Sequence, residues 1–117
     1  MNSHETINYI ELPASNLEAT QAFFSNLFGW TFTQYGPDYM DSPDGGIMMG
    51  FFKADLKSLP EHGGALVTFY SSALEETLAK VEAAGGTIVK PVFSFPGGRR
   101  FQFTEPSGNE FAVWSDR

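Results

Sequence analysis

The chain has 117 residues, 42% hydrophobic and 15% aromatic with 12 Phe, enough apolar mass for one compact unit over 1–117 and too much for a largely disordered chain. Its formal charge of −7, from 7 basic and 14 acidic residues, leaves no broad cationic surface for nucleic acid or an anionic membrane, and suits solubility or a cationic small molecule. With no Cys, disulfides, thiolate metal sites and cysteine nucleophiles are excluded; no stretch is long or apolar enough to span a membrane and no secretory signal is visible, so the expected location is cytoplasmic.

The first element is a strand over Ile7 to Leu12, ended by Pro13. Ser15 and Glu18 have capping-box spacing and open a helix whose apolar stripe, Leu17, Phe24, Leu27 and Phe28, stops at Gly29. Trp30 to Tyr35, Asp38 to Met40 and Ile47 to Phe52 read as three further strands, the last entered through Ser42-Pro43-Asp44-Gly45. This first module covers about 5–54. A connector over 55–64, bearing Pro60, Gly63 and Gly64, follows.

The second module, 65–117, repeats the order. Ala65 to Tyr70 is a strand, and Ser72 and Glu75 space a second capping box before the stripe Leu74, Leu78 and Val81, which Gly85-Gly86 ends. Thr87 to Val92, Arg100 to Phe103 and Glu110 to Trp114 are strands, the last after Glu105-Pro106-Ser107-Gly108. The fold class is therefore α+β, with two tandem βαβββ modules. Each has one helix for one sheet face, so the other face needs cover, and the two sheets are expected to curl around a shared cleft.

Alternation assigns Ile10 and Leu12 to the helix-packed side and turns Ile7, Tyr9 and Glu11 toward the cleft. On the same reading the cleft receives Ile47, Met49 and Phe51 from the fourth strand, Leu66, Thr68 and Tyr70 from the fifth, and Glu110, Ala112 and Trp114 from the last. This apolar and aromatic lining suits a small, partly aromatic molecule oriented by Tyr9, Glu11, Thr68, Tyr70 and Glu110. Glu11, ringed by Tyr9, Met49 and Phe51, is the candidate general base, because desolvation would raise its pKa; the alternative is a pairing with Arg100 or with solvent. Arg100, on one face with Gln102, is an anion-binding candidate or a partner in an ion pair. Gly97-Gly98 precedes no helix and is not a phosphate loop. Trp30 and Trp114 close corresponding regions of the two halves and also suit core or interface packing. Neither His4 nor His62 lies in a regular element, so no Ser-His-Asp constellation forms.

These pieces together resemble the vicinal-oxygen-chelate superfamily of glyoxalases, methylmalonyl-CoA epimerase, extradiol dioxygenases, fosfomycin-modifying enzymes and bleomycin-resistance proteins. The resemblance rests on Ile10-Glu11-Leu12-Pro13-Ala14, Leu17-Glu18-Ala19, Ala22-Phe23-Phe24, Leu27-Phe28-Gly29-Trp30, Val81-Glu82-Ala83-Ala84-Gly85-Gly86 and Thr104-Glu105-Pro106-Ser107-Gly108-Asn109. It implies a glyoxalase-like fold. In metal-dependent members four His or Glu ligands come from the first and last strands of the modules; matched onto this chain, those positions fall on Ile7, Met49, Leu66 and Ala112, which offer no oxygen or nitrogen side-chain donor. No metal and no cofactor are therefore expected. Small members of the superfamily usually pair so that two chains complete each cleft, which implies a homodimer.

Three functions follow as expectations. The first is a metal-free protein binding a small, partly aromatic molecule, as bleomycin-resistance proteins do. The second is a glyoxalase-like lyase, isomerase or epimerase with Glu11 as general base. The third is a dimerising interaction domain without a small ligand.

Overall fold

The computed structural model describes residues 2–117. In chain order they form β1 (Tyr9–Ala14), α1 (Leu17–Phe28), β2 (Thr33–Gln34), β3 (Tyr39–Ser42), β4 (Met48–Lys53), a 3-10 turn at Pro60–His62, β5 (Val67–Tyr70), α2 (Leu74–Ala83), β6 (Thr87–Phe95), β7 (Gly98–Thr104) and β8 (Glu110–Ser115). The two βαβββ modules are present. They give two four-stranded sheets, ordered β1-β4-β3-β2 and β5-β8-β7-β6. The first and last strands of each module pair in parallel, β1 with β4 and β5 with β8, and the remaining pairs are antiparallel.

Local chemistry sets the element ends, in places differently from the sequence reading. Asn16, not Ser15, caps α1, its side chain accepting from the Ala19 amide at 3.0 Å. Gly29 ends α1 at φ 75°, a conformation that disfavours any residue with a Cβ, while its amide bonds Ser25 O and that of Trp30 bonds Phe24 O. At α2 the Ser72–Glu75 box does not form. Ser71 Oγ accepts from the Ala73 amide at 3.0 Å and shares a 2.7 Å bond with Thr77 Oγ1, while Glu75 pairs with Arg99. The strand expected over Trp30 to Tyr35 shrinks to Thr33–Gln34, because Trp30 is drawn into the core, where it stacks on Phe24 at 4.7 Å, and Thr31 donates from its amide and hydroxyl to Asp44. β6 instead runs past Val92 to Phe95, carrying Pro91 on the edge of its sheet across two register shifts.

Phe24 shows where the core sits. Its ring lies 5.9 Å from Phe51 of the first sheet and 5.4 Å from Phe111 of the second. Phe23 approaches Phe103 at 5.9 Å. α1 thus packs on the inner face of both sheets at once, and edge-to-face and stacked rings fill the interior. Phenylalanine abundance is mostly core.

Register then fixes the faces. Leu12 pairs with Phe51 and Ile10 with Met49, so Met49 and Phe51 share the core side. Strand alternation alone turns both toward the cleft, and the register overrules it. The run Ile47-Met48-Met49-Gly50-Phe51-Phe52 is apolar on both faces, so alternation could not orient it, and a one-residue slip exchanges the faces. The outward side of β4 carries Met48, Gly50 and Phe52. Within one chain the interior between the sheets is the phenylalanine core, and the faces carrying Tyr9, Glu11, Thr68 and Glu110 turn away from it.

A polar clip joins the modules behind that core. The buried Glu105 carboxylate accepts from Thr20 Oγ1 at 2.6 Å, the amides of Ser107 and Asn109 at 2.9 and 3.3 Å, and Asn109 Nδ2 at 2.8 Å. Asn109 Nδ2 also donates to Pro13 O at 2.6 Å, and Ser107 Oγ exchanges bonds with the backbone of Asn16. The turn before β8 therefore holds the entrance of α1. Burial pushes the Glu105 carboxyl up, and the four donors offset this only in part.

Candidate functional site

On the outward face of the first sheet, Tyr9, Glu11, Tyr39 and Asp41 surround Gly50. The two phenol oxygens lie 2.5 Å apart; Tyr9 donates to Asp41 at 3.0 Å and Tyr39 to Glu11 at 2.9 Å. Gly50 makes the arrangement possible. A Cβ there would stand 2.0 Å from Tyr39 Oη and 2.5 Å from Tyr9 Oη, so any side chain would displace both hydroxyls. Both phenols are held above the ordinary tyrosine range, first by burial, with bonding to the carboxylates and their negative charge adding to it.

The candidate base Glu11 belongs to this group, but its expected surroundings are absent. Met49 and Phe51 lie on the far side of the sheet, and Glu11 is exposed. Nor does it pair with Arg100, which stands on the other sheet.

The outward face of the second sheet brings together more of the expected ligand-binding residues. Thr68 pairs with Ala112, Tyr70 with Trp114, Arg100 with Trp114 and with Phe93, and Gln102 with Ala112. Tyr70 and Trp114 meet edge to face at 5.2 Å, and Phe95 lies 6.4 Å from Trp114. The Arg100 guanidinium sits over the rings of Phe93 and Phe95, at 5.1 and 5.8 Å from their centres, a cation held by aromatic faces. Its Nε is buried without a partner. Beside it, Gln102 Nε2 donates to Glu110 Oε2 at 2.6 Å. Gln102 and Glu110 open into a cavity of about 620 Å³ lined also by Leu59, Val89, Lys90 and Thr104.

Leu66 stands apart from this face. Just before β5 it borders a separate recess of about 310 Å³ between the sheets, with Ile10, Ile47, Met49 and Phe69. Ile7, matched to a ligand position, precedes β1 and is 77% exposed.

A divalent ion finds no adequate donor set. Among the described residues no three of His, Cys, Asp and Glu converge. The oxygens on the first sheet are bonded to one another, Ala112 offers no donor, and Met49 faces the core, so the residues present do not fit a three- or four-ligand centre.

Tyr39, Asp41, Gly50, Phe93 and Phe95 were not among the expected site residues. A glycine inside an apolar strand is a signal of close approach, which Gly50 fulfils. Tyr39 and Asp41 lie on β3, whose reading as Asp38 to Met40 was too short to assign faces, and Phe93 and Phe95 fell beyond the expected end of β6.

Residues 6–113 match the family model described as the Glyoxalase/Bleomycin resistance protein/Dioxygenase superfamily. In fold the chain is similar to a glyoxalase-related enzyme from Fulvimarina pelagi, at 18% identity over 95% of this chain and 88% of that one, with a TM-score of 0.79. It is similar to a glyoxalase/bleomycin resistance protein/dioxygenase family enzyme from Burkholderia phytofirmans PsJN, at 16% identity, 95% and 98% coverage and a TM-score of 0.78. It also resembles FosX, a fosfomycin resistance protein from Listeria monocytogenes, at 19% identity, 98% and 94% coverage and a TM-score of 0.78. Comparison with curated proteins gives no match. No helix among the described residues is long and apolar enough to cross a membrane.

Proposed function

The chain belongs to the glyoxalase/bleomycin resistance protein/dioxygenase superfamily, and from that premise we propose that it binds a small, partly aromatic molecule on the outward face of its second sheet, with no metal among the contacts. The observation that carries this reading is the wall formed by Tyr70, Trp114, Phe93 and Phe95 around Arg100, set beside a cavity whose polar end is Gln102 and Glu110. Aromatic rings supply contact area at low conformational cost, and a few fixed polar groups orient the ligand. Thr68 lies in the same face, and Tyr9 with Glu11 would border the ligand from a second copy of the chain. Both site faces turn outward, so a homodimer that sets one sheet against the partner's other sheet would close them.

The test is calorimetric titration with a panel of aromatic compounds. A binder found in the panel should lose about tenfold or more in affinity with Trp114→Ala, a loss of roughly 1.4 kcal/mol. Unchanged affinity in that variant would remove the second-sheet face as the site.

A second reading, a lyase, isomerase or epimerase with Glu11 as base, draws on the Tyr39 bond: once Glu11 has taken a proton the hydroxyls can turn, Glu11 donating to Tyr39, Tyr39 to Tyr9 and Tyr9 to Asp41, so that a proton passes on to Asp41. On that reading Glu11→Gln abolishes turnover of a bound compound while leaving its affinity intact.

A further inference from the structure

We propose that the ligand carries a carboxylate and presents it to Arg100, an inference that rests on the second-sheet face being the binding site. Register places Phe93, Arg100, Trp114 and Tyr70 in one row across β6, β7, β8 and β5, and cross-strand partners share a face. Arg100 is half-buried in that row, its guanidinium over the rings of Phe93 and Phe95 and its other neighbour Trp114. A guanidinium stays charged at any pH a folded protein meets. Taking the charge partly out of water with no anion beside it weakens the fold, and aromatic faces offset this only in part. No such anion is supplied by the chain. The ion pairs among the described residues use His4, Arg99 and Arg117, and the guanidinium that hydrogen-bonds to the protein is that of Arg99. Arg100 Nε is shut off from solvent, but its two terminal nitrogens are not, and they are the donors left to a ligand.

A carboxylate fits those donors, because its two oxygens accept from both terminal nitrogens at once and so join charge to orientation. Neighbouring strands lie about 4.8 Å apart, so an anion at Arg100 and a ring laid on Trp114 are one strand spacing from each other. The matching ligand bears its carboxylate directly on an aromatic ring or one carbon away from it. A longer spacer carries the ring past Trp114 toward Tyr70. The surrounding charges permit this. Lys90, opposite Gln102 on the next rung of the same face, adds a second, exposed cation. Glu110 lies roughly 13 Å along β8 from Trp114 and is bonded to Gln102. Asp116 accepts from Tyr70 Oη and lies beside Arg117. The net charge of −7 opposes an anion chiefly over distances at which exposed charges are screened, whereas Arg100 acts at contact.

The experiment is calorimetric titration of the full chain with phenylacetate, its neutral isostere phenylacetamide and the cation phenethylamine, repeated with Arg100→Met and Arg100→Lys. Phenylacetate is expected to bind about tenfold or more tightly than the amide, the worth of a charge-assisted pair, with the amine weakest. In Arg100→Met that preference should fall to about twofold or less, while the melting temperature without ligand stays at or above wild type because an unpaired, half-buried charge is gone. Arg100→Lys keeps the charge and loses the fork, so it should retain only part of the preference. Should Arg100→Met fail to fold, the ranking in wild type and the reduced preference of Arg100→Lys decide the matter alone. Equal or tighter binding of the amide or the amine overturns the carboxylate assignment and leaves the aromatic binding site standing. So does a preference that survives in Arg100→Met; if that variant also turns a wild-type dimer into a monomer in sedimentation, the counter-ion of Arg100 sits on a second copy of the chain. Binding of none of the three overturns the assignment, and the site itself falls with it if Trp114→Ala is silent toward the wider aromatic panel.

Discussion

Glu105 shows how much can depend on one buried carboxylate. All four of its partners are donors, two on each oxygen. An amide at this position keeps one accepting oxygen and turns an NH2 toward two N–H or O–H groups. Glu105→Gln should therefore cost about 1 to 3 kcal/mol in denaturant unfolding. The pH dependence has a definite sign. Burial raises the folded-state pKa above the unfolded value, so the folded chain keeps this proton longer as pH climbs. The stability linked to the proton is present below the ordinary glutamate range and lost as pH rises through the folded value. The difference in melting temperature between wild type and Glu105→Gln should accordingly narrow from about pH 4 to about pH 7, and a difference that widens would mean the donors outweigh burial. Gly50 is the second informative residue. Gly50→Ala is expected to push the Tyr9 and Tyr39 hydroxyls off the strand and bring their alkaline titration, followed by ultraviolet absorbance, down toward the ordinary tyrosine range. If that titration does not move, the hydroxyl chain is not what keeps the phenols protonated.

Elements were legible where period and punctuation agreed. Both helices, the glycine ends and the order of strands could be read because a 3.6-residue stripe bounded by polar starts and glycine stops has one solution. Caps were less legible, since Ser15 and Asn16 are both competent and only the path of β1 decides between them. Asn16→Ala should cost about 1 kcal/mol and Ser15→Ala far less in thermal or denaturant melts, whereas equal effects would contradict the observed cap. Faces were legible in β1, β5 and β8, where polar Glu11, Thr68 and Glu110 break the apolar pattern. In β4 no residue does so. The expected cleft consequently gained Met49 and Phe51, which belong to the core, and lost Gly50, the residue on which the tyrosine pair rests. The orphan atoms of Gln102 and Arg100 could not be read at all, because satisfaction of a polar atom depends on neighbours brought together only by folding.

For the molecule as a whole, the modules are bound by contacts between distant parts of the chain. The Glu105 clip links positions 85 to 96 residues apart, and Phe24 needs Phe111 as well as Phe51. A chain ended after Thr104 lacks the clip, β8 and Phe111. It should lose the near-ultraviolet circular dichroism of Trp30 in the first module along with the second, and a surviving Trp30 signal would mark the first module as self-standing. During synthesis this means that the first half emerges with its phenylalanines uncovered. They stay so until β8 has left the ribosome, so the nascent chain is open to aggregation and to chaperones throughout the synthesis of the second module.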